Sequence, residues 1–388
     1  MDLTDFTECN KCGKCKETCI SYRIFLNEAF SPRGRVQIFR YFKDGNIPEN
    51  KTLRERIFSC LLCGACTANC PLQVNVPLLI YDAREKMKKN LFQLLFRYFS
   101  FYPKLFFSIS SMLSSFKPLK HFITKQKLLP ITFLNKLSNY EKKSFDACYL
   151  KVFNKIRPKG RIALFLGCST NFLMPSISNA IIETLLSANF EVIVPKQNCC
   201  GAPLLGAGFK REMITLAKKN LFIYKSFHID GVITPCPTCG HFLNSVYQEL
   251  INENINILNI ADLIENIELS STNIEEKKIF FHISCHFSNY LKESSKIINL
   301  FNKVGVNIER KEGCCGFAGL FSFLFPKASM DIMKQKILEY QKADMIISSC
   351  PNCIIHFKNS MQNKKILHYT EFIWEKLLKG VKNDKRNF

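Results

Sequence analysis

Acidic residues are scarce in this 388-residue chain: 32 Asp and Glu face 54 Lys and Arg, for a formal net charge of +22. No unbroken apolar run reaches the roughly 18 residues that a membrane-spanning helix needs. The opening MDLTDFTECN lacks the basic-then-apolar layout of a secretory signal. The expectation is therefore a reducing compartment, where structural disulfides are uncommon. No GxGxxG, no P-loop and no Ser/His/Asp arrangement stands out, and no flavin or nicotinamide site is legible. What the chain has in excess is cysteine, 19 in all. Such a number fits disulfides, zinc, iron–sulfur clusters or reactive thiols, and the expected compartment favours metal or cluster ligation. The length allows two or three cores, so several domains are expected.

The cysteines divide the chain: eight lie between 9 and 70, none between 71 and 147, and eleven from 148 onward. Residues 20–85 read as helices, with Ser31 as an N-cap and Pro32 at the first helical position. Apolar residues recur after it at Val36, Phe39 and Phe42, and a second helix is expected over about 52–60. The C-terminal half repeats itself. RIALFLGC (161–168), a helix, EVIVP, NCCG, a helix and GVITPCPTC (231–239) are matched by KKIFFHISC (277–285), a helix, VNIER, GCCG, a helix and ADMIISSCPNC (343–353). Corresponding cysteines lie 117, 115, 115, 114 and 114 residues apart, the mark of a duplication. Alternating strands and helices predict parallel α/β layers with the cysteines just after strand ends, where open α/β sheets place their sites.

CNKCGKCKETC (9–19) and CLLCGACTANC (60–70) both fit C-x2-C-x2-C-x3-C. Three thiolates on a tight loop reach three corners of a cubane, and the fourth corner is reached from elsewhere. In [4Fe–4S] ferredoxins with this spacing, the fourth cysteine of each run serves the other cluster. This assigns Cys9, Cys12, Cys15 and Cys70 to one cluster and Cys60, Cys63, Cys66 and Cys19 to the other. Zinc would ordinarily take two separated pairs instead. The forty residues between Cys19 and Cys60 make the module similar to the α-helical ferredoxin module of succinate dehydrogenase and fumarate reductase iron–sulfur subunits.

Each C-terminal repeat presents five thiols: Cys168, Cys199, Cys200, Cys236 and Cys239 in the first, and Cys285, Cys314, Cys315, Cys350 and Cys353 in the second. Five is one more than a simple cubane uses, and the glycine after each pair lets backbone approach a bulky inorganic centre. Each C-x2-C alone also suits zinc or a redox dithiol. The layout resembles the cysteine-rich CCG-domain family, found in heterodisulfide reductase subunits and in iron–sulfur subunits of glycolate oxidase, anaerobic glycerol-3-phosphate dehydrogenase and lactate-utilisation enzymes. SPRGR (31–35) and GCCGFAG (313–319) look most like the glycolate oxidase iron–sulfur subunit. Many glycolate-type members lack a cysteine at the place of Cys350, whereas SSCPNC keeps both, which brings the heterodisulfide reductase reading closer.

The fold class expected is α+β multidomain. An α-helical di-cluster ferredoxin domain (1–85) precedes a basic amphipathic helical segment (86–158), and two tandem α/β CCG repeats follow (159–270 and 277–380). Residues 86–161 hold 17 Lys and Arg but only Glu141 and Asp146. Within NLFQLLFRYFSFYPKLFF (90–107), Leu91, Leu94, Leu95, Tyr98, Phe99 and Tyr102 recur at helical spacing, and Pro103 should end or kink that helix. Such a stretch suits an anionic membrane surface, a partner or membrane subunit, or simple packing on the CCG repeats. Nucleic acid is not expected, because the cluster motifs give it nothing to do. His282 and His286 flank Cys285 and His241 follows Cys239; a histidine there can hydrogen-bond a cluster, or be structural. Arg33 and Arg35 stand ready to balance cluster charge or to solvate a helix start. Cys148 fits no motif and reads as a small buried hydrophobe.

A chain full of clusters without a hydride-handling cofactor reads as a wire, since two-electron oxidation of an organic acid needs a flavin or similar group. The resemblance implies an iron–sulfur electron-transfer subunit of a flavin-dependent 2-hydroxy-acid dehydrogenase of glycolate or lactate type. It would hold two [4Fe–4S] clusters, one further iron–sulfur cluster per CCG repeat, and no flavin. A flavoprotein partner would supply electrons, and quinone or another acceptor would receive them. The expected location is cytoplasmic and peripheral on the inner face of the cell membrane, with the isolated chain only an electron carrier. The alternative is a heterodisulfide-reductase-like subunit that reduces a disulfide at its CCG clusters. An iron–sulfur sensor without turnover is a third.

Overall fold

Ser31 and Pro32 do what their chemistry suggests. The computed structural model describes residues 9–105, 145, 151–269 and 278–378. In it the Ser31 Oγ accepts a 3.0 Å hydrogen bond from the Gly34 N–H and opens helix α2, Pro32–Lys43. It follows a short α1, Ile20–Phe25. Gly34 is required by space, because a Cβ there would lie 2.1 Å from the Glu28 carbonyl oxygen. Asparagine side chains cap the next helices in the same way: Asn50 for α3 (Lys51–Phe58), Asn75 for α5 (Val76–Lys86) and Asn90 for α6 (Leu91–Phe101). The small α4 (Ala65–Ala68) lies inside the second cysteine run.

The duplication folds into two four-stranded sheets. The first holds β1 (Lys151–Phe153), β2 (Arg161–Leu164), β3 (Glu191–Val194) and β4 (Gly231–Ile233) in the order β1-β3-β2-β4. The second holds β5 (Ile279–Ser284), β6 (Ile308–Gly313), β7 (Met345–Ser348) and β8 (Lys365–His368) in the order β6-β5-β7-β8. In each, the first strand of the repeat is central and parallel to both neighbours, as helical crossovers require. The sheets differ at their edges. β8 is a full parallel strand, and its counterpart in the first repeat is a single bridge between Val232 and Ile257. β1, from within the basic segment, adds an antiparallel edge.

Alternation along β2 explains how the domains join. Ile162 and Leu164 belong to a core that continues into Phe281, Ile283 and Ile347 of the second repeat. Ala163 and Phe165 point the other way, into a core shared with Phe39, Ile57, Leu79 and Ile80 of the helical module. One strand thus seats both neighbours, and a buried side chain of this size contributes roughly 1.5–3 kcal/mol on each side.

Helix α6 ends before Pro103, as expected. It packs on the repeats through Gln93, whose side-chain amide donates to the Ala207 carbonyl at 2.8 Å, and through an Arg97–Glu212 ion pair at 3.0 Å. Phe92 and Phe96 meet Phe323 of the second repeat. The opposite face leaves Leu91, Leu94, Leu95, Tyr98 and Tyr102 exposed. No described helix is long and apolar enough to cross a membrane. Most of the remaining basic segment, with Cys148, lies outside the described residues.

Candidate metal centres

The first cysteine run wraps a tight turn at Lys14–Lys16, entered through Gly13 at φ +87°. The Cys15 thiol is pushed up by burial and by the neighbouring charges of Cys9, Cys19 and Cys12, which places these sulfurs in one neighbourhood. Cys12 is exposed. Arg33 fastens the loop, donating to the Lys11 carbonyl at 2.9 Å and to Glu28 at 2.7 Å. Cys70 closes the turn after α4, and the Thr18 hydroxyl reaches the Ala65 carbonyl at the start of α4 at 3.4 Å, which ties that helix to the first run.

Cys60, Cys63, Cys66 and Cys19 line one small pocket together with Ser21, Gly64 and Arg35. This is the set the crossed spacing predicts. Burial pushes the Cys66 thiol up, with Cys60 and Cys19 adding to the effect. Backbone N–H groups point at the sulfurs, Tyr22 to Cys19 at 3.4 Å and Leu62 to Cys60 at 3.5 Å. Hydrogen bonds of this kind tune cluster sulfurs.

The CCG cysteines sit after strand ends as expected, but the two sets converge. Cys168, Cys200, Cys236, Cys239, Cys285, Cys314, Cys315, Cys350 and Cys353 all line one cavity of about 150 Å³, together with Cys60, Tyr81 and Arg84. Within the first repeat the Cys239 and Cys200 sulfurs are 3.5 Å apart, and hydrogen bonds from Cys199 and Cys239 draw the Cys200 thiol down to about 6. Within the second, hydrogen bonding to Cys314 and burial push Cys285 up, while hydrogen bonding to Cys353 draws Cys315 down. Across the repeats, Cys350 is drawn well down by hydrogen bonding to Cys236 and then to Cys353. Ser169 donates to Asn352 at 2.7 Å beside this junction. The glycines after the pairs adopt positive φ, and the N–H of each points back at a sulfur: Gly201 (+90°) to Cys199 at 3.5 Å, Gly316 (+84°) to Cys314 at 3.4 Å.

A bridge also runs from the ferredoxin loop to the second repeat. Burial pushes Cys63 well up, and the charge of Cys314 adds to it, ahead of that of Cys66. Asn289 donates to the Cys63 carbonyl at 2.9 Å, and the Tyr290 hydroxyl donates to the Leu62 carbonyl at 3.1 Å. Tyr290 stacks on His241 of the first repeat at 3.8 Å. His286 lies 3.5 Å from the Cys285 sulfur and lines the cavity. His282 turns instead into the core, onto the Tyr340 hydroxyl at 2.7 Å.

The residues fit iron–sulfur chemistry. All eighteen described cysteines are free thiols. Most of them ring pockets instead of closing on one point, and among the described residues no three His, Cys, Asp or Glu side chains gather as a single ion needs. Thiols held neutral by burial must release protons on metal binding, so loading couples to pH. Sequence reading missed Arg84, Tyr81 and Tyr290. Arg84 had a signal: it follows Val76 and Ile80 at four-residue spacing, on the apolar stripe of α5.

A 4Fe–4S dicluster domain model matches residues 5–74, and a cysteine-rich CCG domain model matches 162–244 and again 279–358. An uncharacterized iron–sulfur protein of Methanococcus maripaludis is 26% identical over 93% of this chain and 69% of its own length. A probable glycolate oxidase iron–sulfur subunit of Bacillus subtilis is 24% identical over 94% of this chain and 91% of its own. A subunit of the fumarate reductase (CoM/CoB) of Methanothermobacter marburgensis is 25% identical over 93% and 70%. With two ferredoxin-type thiol runs and two five-thiol repeats gathered as described, the chain is an iron–sulfur electron-transfer protein of the CCG-domain family.

Proposed function

We propose that the chain is the iron–sulfur subunit of a flavin-dependent 2-hydroxy-acid dehydrogenase of glycolate or lactate type. Cys9, Cys12, Cys15 and Cys70 hold one [4Fe–4S] cluster, and Cys60, Cys63, Cys66 and Cys19 hold the other. The five thiols of each CCG repeat hold a further iron–sulfur centre. Such centres supply reversible one-electron transfer. A separate flavoprotein oxidises the acid, and this chain carries the electrons singly toward a quinone or other acceptor. The observation that carries the reading is the contact of one thiol pocket with the next. The Cys19 pocket and the central cavity share Cys60, and nine cysteines of the two repeats line that cavity. The similarity to a glycolate oxidase subunit along almost the full length of both chains supports the choice of partner.

The exposed apolar face of α6 and the basic residues that follow it support a peripheral position on the inner, anionic face of the cell membrane. The native complex tests the function. Copurification should bring down a flavoprotein, and the pair should reduce a dye with glycolate or lactate. A flavoprotein-containing complex inert to both acids would overturn the proposal. A second reading, reduction of a disulfide, is favoured by the facing of four thiols of the first repeat and all five of the second across one cavity. It predicts thiol release from a disulfide by the reduced chain, and a haem b membrane subunit in place of the flavoprotein.

A further inference from the structure

Two arginines in the helical module are buried without a counter-charge. Arg35 is 1% exposed and Arg84 2%. Among the described residues neither has a carboxylate within ion-pair distance. Arg35 donates to the Arg56 carbonyl at 2.7 Å and to the hydroxyls of Ser21 and Ser59 at 2.6 and 2.9 Å. Arg84 donates to the carbonyls of Gly206 (2.9 Å), Ile57 (3.1 Å), Phe58 (3.2 Å) and Cys60 (2.8 Å), and lies over the Phe58 ring. Its Nε has no partner. Neutral dipoles satisfy most of the N–H groups but leave two full positive charges in a low-dielectric interior. That is costly unless an anion is near.

Both side chains line thiol pockets, and Cys60 is common to the two. Arg35 lines the pocket of Cys19, Cys60, Cys63 and Cys66, and Arg84 lines the central cavity beside Cys60 and Tyr81. The outer set differs. Its nearby cations, Arg33 and Lys16, are only partly buried and both bind Glu28, at 2.7 Å each. Their charge is therefore neutralised and screened. Four thiolates around an iron–sulfur cube carry net negative charge, and reduction adds one more unit. Burial alone would lower the reduction potential, and a fixed buried cation raises it.

We propose that Arg35 and Arg84 are the built-in counter-charge of the inner cluster site, holding its reduction potential up so that it accepts electrons despite burial. The inference rests on the assignment of a cubane to Cys19, Cys60, Cys63 and Cys66. It concerns charge and geometry, not proton transfer, because a guanidinium here stays protonated at neutral pH even though burial draws Arg84 down to about 10.

The test is an EPR-monitored redox titration of the iron-loaded chain. Arg84→Gln should lower the potential of one cubane signal, with an oxidised-to-reduced ratio at least tenfold higher at a fixed potential, about 59 mV for a one-electron couple. Arg35→Gln should act on the same signal. Arg33→Gln should leave it unmoved, and Arg84→Lys should restore it. An Arg84→Gln protein with wild-type iron content and an unchanged potential overturns the proposal. If Arg84→Gln fails to retain iron, Arg84→Lys decides. Retained iron at the wild-type potential supports the role of charge, whereas equal loss of iron assigns the residue to packing and overturns it. Cys63→Ser separates this from the underlying assignment. If that variant keeps both cubane signals, the ligand set is wrong, whatever the arginines do.

Discussion

Gly64 tests the bridge between the ferredoxin loop and the second repeat. It sits at φ +76°, and a Cβ added there would lie 2.5 Å from Cζ of Tyr290 and 2.9 Å from its hydroxyl. Gly64→Ala therefore carries two penalties. The left-handed backbone costs an L-residue roughly 1–2 kcal/mol, and forcing the Tyr290 ring out of a packed site costs about 1–3 kcal/mol more. Gly45 supplies the control: its φ is +75°, and a Cβ added there would meet nothing within 4 Å. Gly45→Ala should lose only the backbone share, so the two variants should differ by about 1–3 kcal/mol in anaerobic urea unfolding. Displacing Tyr290 also breaks its bond to the Leu62 carbonyl. Electron passage from the ferredoxin clusters to the CCG repeats, followed by stopped-flow after rapid reduction, should then slow in Gly64→Ala and not in Gly45→Ala. Equal destabilisation and equal rates in both variants would refute the bridge.

Other outcomes follow from the same geometry. Asn352→Ala removes the Ser169 contact between the repeats, and should cost about 1 kcal/mol in urea unfolding while leaving the cubane EPR signals unaltered. Association with anionic vesicles should weaken as salt rises and should fall further on Leu91→Ser with Leu95→Ser; equal sedimentation with neutral lipid would remove the electrostatic part. Glu28 is held down to about 2 by its hydrogen bond from Arg33, against burial, with Lys16 and Ser31 assisting. Its folded-state value is below the ordinary 4.5, so its contribution is complete above that pH and disappears as pH falls toward 2. Glu28→Gln should flatten the urea-midpoint profile over that window, and an unchanged profile would contradict the role.

Much of this was legible because thiol spacing is a geometric statement. The crossed ferredoxin pattern brings Cys19 into the pocket of Cys60, Cys63 and Cys66, and the near-constant offset between the repeats returns as two sheets with matching central strands. The Ser31 cap and the end of α6 before Pro103 follow from local chemistry. What escaped depended on contacts between distant segments. Cys236 and Cys350 come from different repeats and meet only where the repeats pack together, which no periodicity records. Asn289 and Tyr290 carry no motif, since their hydrogen-bond partners Cys63 and Leu62 lie more than 200 positions away in the chain. Arg84 carries no motif, and its only signal is its place on the apolar stripe of α5. β1 is three residues long and lies within a segment read as helical.

The central claim is that these thiols hold iron–sulfur centres in the repeats as well as in the ferredoxin module. Iron and acid-labile sulfide counted on the anaerobically purified chain test it most directly. The account predicts clearly more than the roughly eight irons that two cubanes supply, with the excess lost in Cys200→Ser and Cys315→Ser. About eight irons, unchanged in both variants, would contradict it.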